Sequence, residues 1–210
     1  MKVKEANEIV GAGSAALSDT SKMPGKSFGL PAKRCNVGSK LVKVAGTVCS
    51  KCYAMKGSYS WNCVKVAQER RYKRLKHPLW VTAMTTMVKR IPWFRWHDSG
   101  DIQGDWHMDN ILEVCHSTPN TTHWLPTREY GVITKAVSKA QLPDNLTVRL
   151  STMKIDAPPP AALAKRLGVV TSGVAKENSF DCPAPKQDGK CLDCRACWDR
   201  GVENVNYKLH

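Results

Sequence analysis

The sequence predicts an α/β protein built on a parallel sheet, and three observations predict it. Strand-length apolar runs alternate with segments of helical period about four times between residues 61 and 172. Charged and small polar residues collect where those strands end, the place where parallel α/β folds bind ligands. The chain has 210 residues, of which 42% are hydrophobic, enough for one domain with a buried core and a small appendage.

Residues 1–26 are small and polar without a clear period, and are expected as a flexible lead-in. SFGLPA (27–32) is a short strand running toward Cys35, followed by an irregular cysteine-bearing stretch through Ser60. Over 61–76, Trp61, Val64, Tyr72 and Leu75 share one helical face and Lys65, Arg70, Arg71, Lys73, Arg74 and Lys76 spread over the rest, an amphipathic helix with a basic exterior. Pro78 opens a helix over 78–90 that stops before Pro92. WFRWH (93–97) is a strand running into DSGDIQGD, and Asp105 is placed to N-cap a helix over 106–116. The alternation continues with strand 122–127, helix 131–140, strand 146–151, helix 159–167 and strand 168–172. This order gives an α/β unit over 27–179, an open sheet or a partial (β/α) barrel, with a loop-built, cysteine-rich tail over 180–210.

Nine cysteines are a high count for this length. No stretch approaches the roughly 18 apolar residues of a membrane span, so a soluble cytoplasmic protein without a membrane partner is expected. In a reducing compartment, thiols at short spacing point to metal ligation or catalysis before disulfides. Cys182, Cys191, Cys194 and Cys197 end in two successive x2 spacings, which wrap a four-iron cluster more readily than the paired knuckles of zinc sites. Cys35, Cys49, Cys52 and Cys63 form a looser set, for iron or zinc. Three cysteines here would leave one iron open, four would make a zinc clasp, and mixed sites drawing on both sets are a further arrangement. Cys115 is expected in the core.

His97, Asp98 and Asp101 offer an imidazole and two carboxylates at a strand end, and with Arg128 they are the candidate catalytic and substrate-positioning groups. Ser99, Gly100 and Glu129 are candidate cofactor contacts on the same rim. The formal charge of +14 directs attention to anionic partners: a small anionic substrate, or nucleic acid along the basic helix.

Two segments carry a family resemblance. Cys49-Ser-Lys-Cys52-Tyr53-Ala54 before a basic helix, together with Phe94-Arg95-Trp96-His97-Asp98-Ser99-Gly100-Asp101, resembles the bacteriophage gene-product-88-like proteins, some of which end in a tail similar to residues 182–198. The resemblance covers most of residues 27–198. It implies a phage origin, hence the host cytoplasm, and a radical-SAM-like partial barrel whose cysteine loop follows the first strand. In such a barrel the SGD segment would stand where radical SAM enzymes contact the methionyl amine of S-adenosylmethionine. Of the C-x3-C-x2-C signature only Cys49-x2-Cys52-Tyr53 is present, and no GGEP occurs, so the resemblance supports a cluster more than it supports S-adenosylmethionine.

The expectation is an iron–sulfur protein with one [4Fe–4S] cluster in the tail and a second cluster or zinc in the N-terminal set. It would act on a small anionic substrate at the rim, through redox, sulfur-transfer or radical chemistry, with an electron donor if redox. The rival expectation is a zinc-stabilised nucleic-acid-binding protein using helix 61–76.

Overall fold

The computed structural model describes residues 1–12, 15–175 and 180–209. In chain order the elements are α1 Val3–Gly11, β1 Ser18–Asp19, β2 Lys26–Phe28, α2 Asn36–Leu41, α3 Asn62–Arg74, α4 Trp80–Val88, β3 Trp93–Trp96 and α5 Asp105–His116. They continue with β4 Thr122–Thr127, α6 Tyr130–Lys139, β5 Leu146–Ser151, α7 Ala161–Leu167, β6 Val170–Gly173, β7 Phe180–Asp181 and β8 Asn204–Asn206. Among the described residues, eight strands form one sheet in the order β1-β2-β3-β4-β5-β6-β8-β7. β1 lies antiparallel to β2 and every other neighbouring pair is parallel. The sheet is open, with β1 and β7 as its edges.

The two faces of this sheet differ because alternate residues of a strand point to opposite sides. One face carries Phe28, Phe94, Trp96, Leu125, Val148 and Leu150, fully or almost fully buried in a single core with Ala6 and Val10 of α1, Trp80 and Met84 of α4, and Met108 and Ile111 of α5. The other face presents the cross-strand row Ser27, Arg95, Trp124 and Thr147. That row is polar apart from Trp124, and the cysteine tail covers part of it. Trp124, Ala196, Cys197, Trp198 and Val205 form a second, smaller core there.

Pro126 sits inside a central strand, where a missing N–H normally breaks a ladder. It is tolerated because pairing with the short β3 stops at Arg95 and Trp124, leaving that edge of β4 free at Pro126.

Strands 122–127 and 146–151 stand where the sequence puts them, and Cys115 is fully buried, as expected. Residues 1–26 differ from the flexible lead-in expected: α1 packs into the core against α4, and β1 extends the sheet. The sparse pattern of Ala6 and Val10 in α1 was too short to register as a period. Helix 61–76 also differs. The residues of α3 that are buried are Gln68 and Arg71, while Trp61 stands 63% exposed. Arg71 reaches inward because Ser18 Oγ and the Ala15 carbonyl accept its hydrogen bonds, at 2.9 and 3.1 Å. Asp105 is not an N-cap. Gly104 takes that position with φ 141°, and Asp105, in the first turn, accepts a 2.8 Å ion pair from Lys135. The boundary expected at residue 179 lies outside the described residues.

Candidate metal and substrate site

Because strands β2 to β6 run parallel, their carboxyl ends share one rim, and the N-terminal cysteine loop is fastened across it. After β2 the chain enters α2 with Cys35 at its N-cap. Glu129, which follows β4, accepts a 2.9 Å bond from the Val37 N–H at that helix start. Farther on, Val48 N–H donates to the Met153 carbonyl and Ile155 N–H to the Gly46 carbonyl, both at 2.9 Å, tying the loop to the end of β5. Tyr53 and Tyr59 then reach the end of β3: Tyr53 Oη donates to the Asp98 carbonyl and Tyr59 Oη to Asp98 Oδ2 at 3.0 Å. The loop is therefore fixed to three different strand ends.

This arrangement gathers Cys35, Cys49 and Cys52. A Cβ added at Gly38 would lie 3.5 Å from Cys35 Sγ and 3.6 Å from Cys49 Sγ, so both sulfurs border the bare backbone of that glycine. Burial raises the Cys35 and Cys49 thiols, and each is raised further by Asp101 and by Cys52; the Arg128 guanidinium pulls Cys49 the other way. Cys63 is exposed on the first turn of α3, and none of the charge interactions that link the other three involves it.

The strand-end carboxylates are held rigidly. Asp101 is buried and accepts from Thr127 Oγ1 at 2.6 Å, the Ile102 N–H at 2.8 Å and the Arg128 N–H at 2.9 Å. Burial raises its pKa, and these three donors oppose the rise. Asp98 accepts from Ser27 Oγ at 2.9 Å, and Gly29 leaves it room: a Cβ there would come within 2.6 Å of Asp98 Oδ1. Gly100 has φ 80°, and a Cβ on it would press to 2.6 Å from Leu30 Cβ, so the SGD turn requires glycine at that position. Arg128 spends its Nε on the Thr152 carbonyl at 2.9 Å. The Ser99 hydroxyl is buried with no partner among the described residues.

His97 does not join this group. Its backbone has φ 57°, and its ring lies 5.4 Å from that of His107 on α5, with neither ring nitrogen partnered among the described residues. Burial, His107 and Arg95 all lower its pKa well below the usual range, so it is neutral. Its ring lies against those of Trp96 and His107.

The C-terminal set lies on the polar face of the sheet. Cys191 is raised by burial and by Cys182 and Cys194, while Arg195 and Arg95 lower it. Cys197 is pushed up to about 11 by burial, against the effect of its 3.1 Å contact with Tyr207 Oη and of Arg149 and Arg95. Four thiols thus share one neighbourhood. Arg149, in the middle of β5 and fully buried, holds the segment around Cys197, the last of the four. Its Nε donates to the Cys197 carbonyl, its Nη1 to the Thr171 and Val202 carbonyls, and its Nη2 to the Ala196 and Asp199 carbonyls. Those five bonds use every donor a guanidinium has.

Arg95 connects the two regions. Its guanidinium lies 4.4 Å from the Trp124 ring centroid and donates to Tyr53 Oη at 3.0 Å. Burial opposes its charge, but Tyr53, Asp98, Tyr59 and Tyr207 hold it charged, and it faces Cys191 and Cys197.

Arg95, Arg149, Tyr59 and Tyr207 are residues that motif reading misses. A usable signal existed for the arginines, since a cation inside an apolar strand such as LTVRLS needs a buried partner. Among the described residues, no three His, Cys, Asp or Glu side chains are grouped closely enough to hold a metal ion as the chain stands. The donor chemistry still fits one: two sets of soft thiols suit iron–sulfur clusters or zinc, and ligation would draw the sulfurs together and release their protons.

The chain belongs to the family described as Gene product 88, which matches residues 1–200. This is the family its cysteine and SGD segments resemble. No curated protein and no solved structure matches it. No helix of the described residues is long and apolar enough to cross a membrane.

Proposed function

We propose that this member of the Gene product 88 family is a phage-encoded iron–sulfur enzyme with two separate cysteine sites on a radical-SAM-like partial barrel. The observation that carries the proposal is the meeting of Cys35 and Cys49 about Gly38, on a loop fastened across the strand-end rim, apart from the four cysteines of the tail. The sequential order of the parallel strands supports the barrel-like part, since a doubly wound sheet reverses its strand order at the ligand crevice.

Three thiolates leave one iron of a four-iron cluster without a protein ligand. Bound there, a cluster would supply electrons or Lewis acidity to a small anionic substrate. The chain's own groups have distinct tasks. Arg128, with its Nε engaged, offers the rest of its guanidinium to a carboxylate or phosphate. Asp98 and Asp101, fixed by several donors each, present acceptors to an amine or hydroxyl. Four thiolates in the tail would hold a second cluster with every iron ligated by protein, which suits passing electrons and not binding substrate.

Anaerobic purification followed by iron, acid-labile sulfide and zinc analysis tests this. Iron with matching sulfide is expected; stoichiometric zinc without sulfide would refute it. Calorimetry of the reconstituted protein with S-adenosylmethionine then separates the radical version from the other redox or sulfur-transfer versions.

A further inference from the structure

The charge of the molecule is concentrated where the cysteine loop crosses the rim. Residues 33–76 hold twelve Lys and Arg and one carboxylate, Glu69, a net +11 out of the chain's +14. The remainder of the sequence is nearly balanced. Arg71 is buried, and Arg34 forms an ion pair with Glu69 at 3.3 Å. Lys33, Lys40, Lys43, Lys51, Lys56, Lys65, Lys73, Arg74 and Lys76 are exposed, and no ion pair engages them among the described residues. Such a concentration of uncompensated cations repels itself and is stabilised by a polyanion.

A second observation narrows the partner. Trp61 is 63% exposed, and it stands with Tyr53 and Met55, both 41% exposed, among the lysines of this segment. Trp61 is the residue before α3, and Lys65, whose N–H donates to the Trp61 carbonyl at 3.1 Å, lies in the helix's first turn. A flat aromatic face beside a cation suits a stacked base and its phosphate, and stacking needs bases that are not paired in a duplex. The cations continue along α3, about 20 Å in length, as a track for a strand. An acidic protein would satisfy the charge but would not call for the exposed indole.

We infer that the loop and helix over residues 40–74 form a docking site for single-stranded nucleic acid, with Trp61 as the stacking platform and Lys51, Lys56 and Lys65 as phosphate contacts. The site does not depend on which metal the cysteines bind. It lies on the loop fixed over the rim.

The test is fluorescence anisotropy with labelled oligothymidylate and oligouridylate of about 20 nucleotides, long enough for one single-strand binding site. The full chain is titrated over a salt series, with duplex DNA and polyglutamate as competitors. Affinity is expected to fall steeply as salt rises. Trp61→Ala should weaken binding about tenfold or more without changing the salt slope. Lys51→Ala/Lys56→Ala/Lys65→Ala should lower that slope by about 2, at roughly 0.7 per lost phosphate contact. Unchanged circular dichroism of both variants excludes misfolding. Absence of salt-dependent binding, wild-type behaviour of both variants, or stronger competition by polyglutamate than by single strands would overturn the inference, the last assigning the surface to an acidic protein.

Discussion

The two cysteine segments use the same residue in opposite settings. The N-terminal loop lies over the strand ends, fastened to Glu129, Met153, Ile155 and Asp98, and surrounded by exposed lysines. The C-terminal tail lies on one face of the sheet, packed on Trp124 and Trp198 and held chiefly by Arg149. Exposure does not separate the two sets: each has one buried thiol, Cys49 or Cys197, with partly buried ones beside it. What separates them is how they are held. The loop is pinned at several points to three strand ends, and the tail is anchored at Cys197 to one buried arginine. The difference teaches that a single substitution can loosen the tail at its anchor, whereas the loop has several.

Arg149→Met breaks the comparison most severely. Five carbonyls lose their donor, and loss of a buried hydrogen-bonded network of this size costs more than about 4 kcal/mol. Urea unfolding measures that loss. Thiol labelling of the native variant should show the buried Cys197 reacting faster while Cys35 and Cys49 do not change. Equal acceleration in both sets would mean that the two regions are not independent.

Acidification acts on the helix side of the sheet. Burial lowers His107 and His123 to about 3 and, with His107 and Arg95, His97 well below the usual 6.5. Between those values and about pH 6.5 the unfolded chain binds more protons than the folded one. The stability contributed by the neutral rings is therefore complete above pH 6.5 and is lost as pH falls, by up to about 1.4 kcal/mol per pH unit for each ring. Thermal melts from pH 7 to pH 4 should fall steeply, and His107→Phe should flatten the dependence. A flat profile in the parent protein would contradict the burial of these rings.

Glu129→Ala has a smaller effect, confined to the loop. Removing the acceptor at the start of α2 should cost roughly 1–3 kcal/mol and raise the labelling rate of Cys35, with the tail thiols unaffected. Cys63→Ser should do least, within about 0.5 kcal/mol and with no change in bound metal, because that thiol is exposed. Loss of metal in Cys63→Ser would restore it to the N-terminal set.

Much of this was legible in the sequence because strand and helix periods are local. LTVRLS and THWLPT read as strands from their apolar runs, and the rim followed from where they end. Parallel pairing, by contrast, joins distant residues: nothing local at Arg149 reveals five carbonyls, four of them in residues 196–202. The setting of His97 is equally non-local: its position before a turn points to the rim, and its left-handed backbone, φ 57°, goes with a ring 5.4 Å from that of His107. In α3, hydropathy points Arg71 outward, but its hydrogen bonds to Ser18 and Ala15 bury it.

Two separate sites are the central claim, and iron and sulfide analysis of Cys35→Ala/Cys49→Ala/Cys52→Ala against the parent, both purified anaerobically, tests it most directly. The account predicts that about four irons and four sulfides remain in the variant, from the intact tail cluster, while the parent holds more. Complete loss of iron and sulfide in a folded variant would show one mixed site drawing on both sets. Retention of the full parental content would show that the rim cysteines bind none.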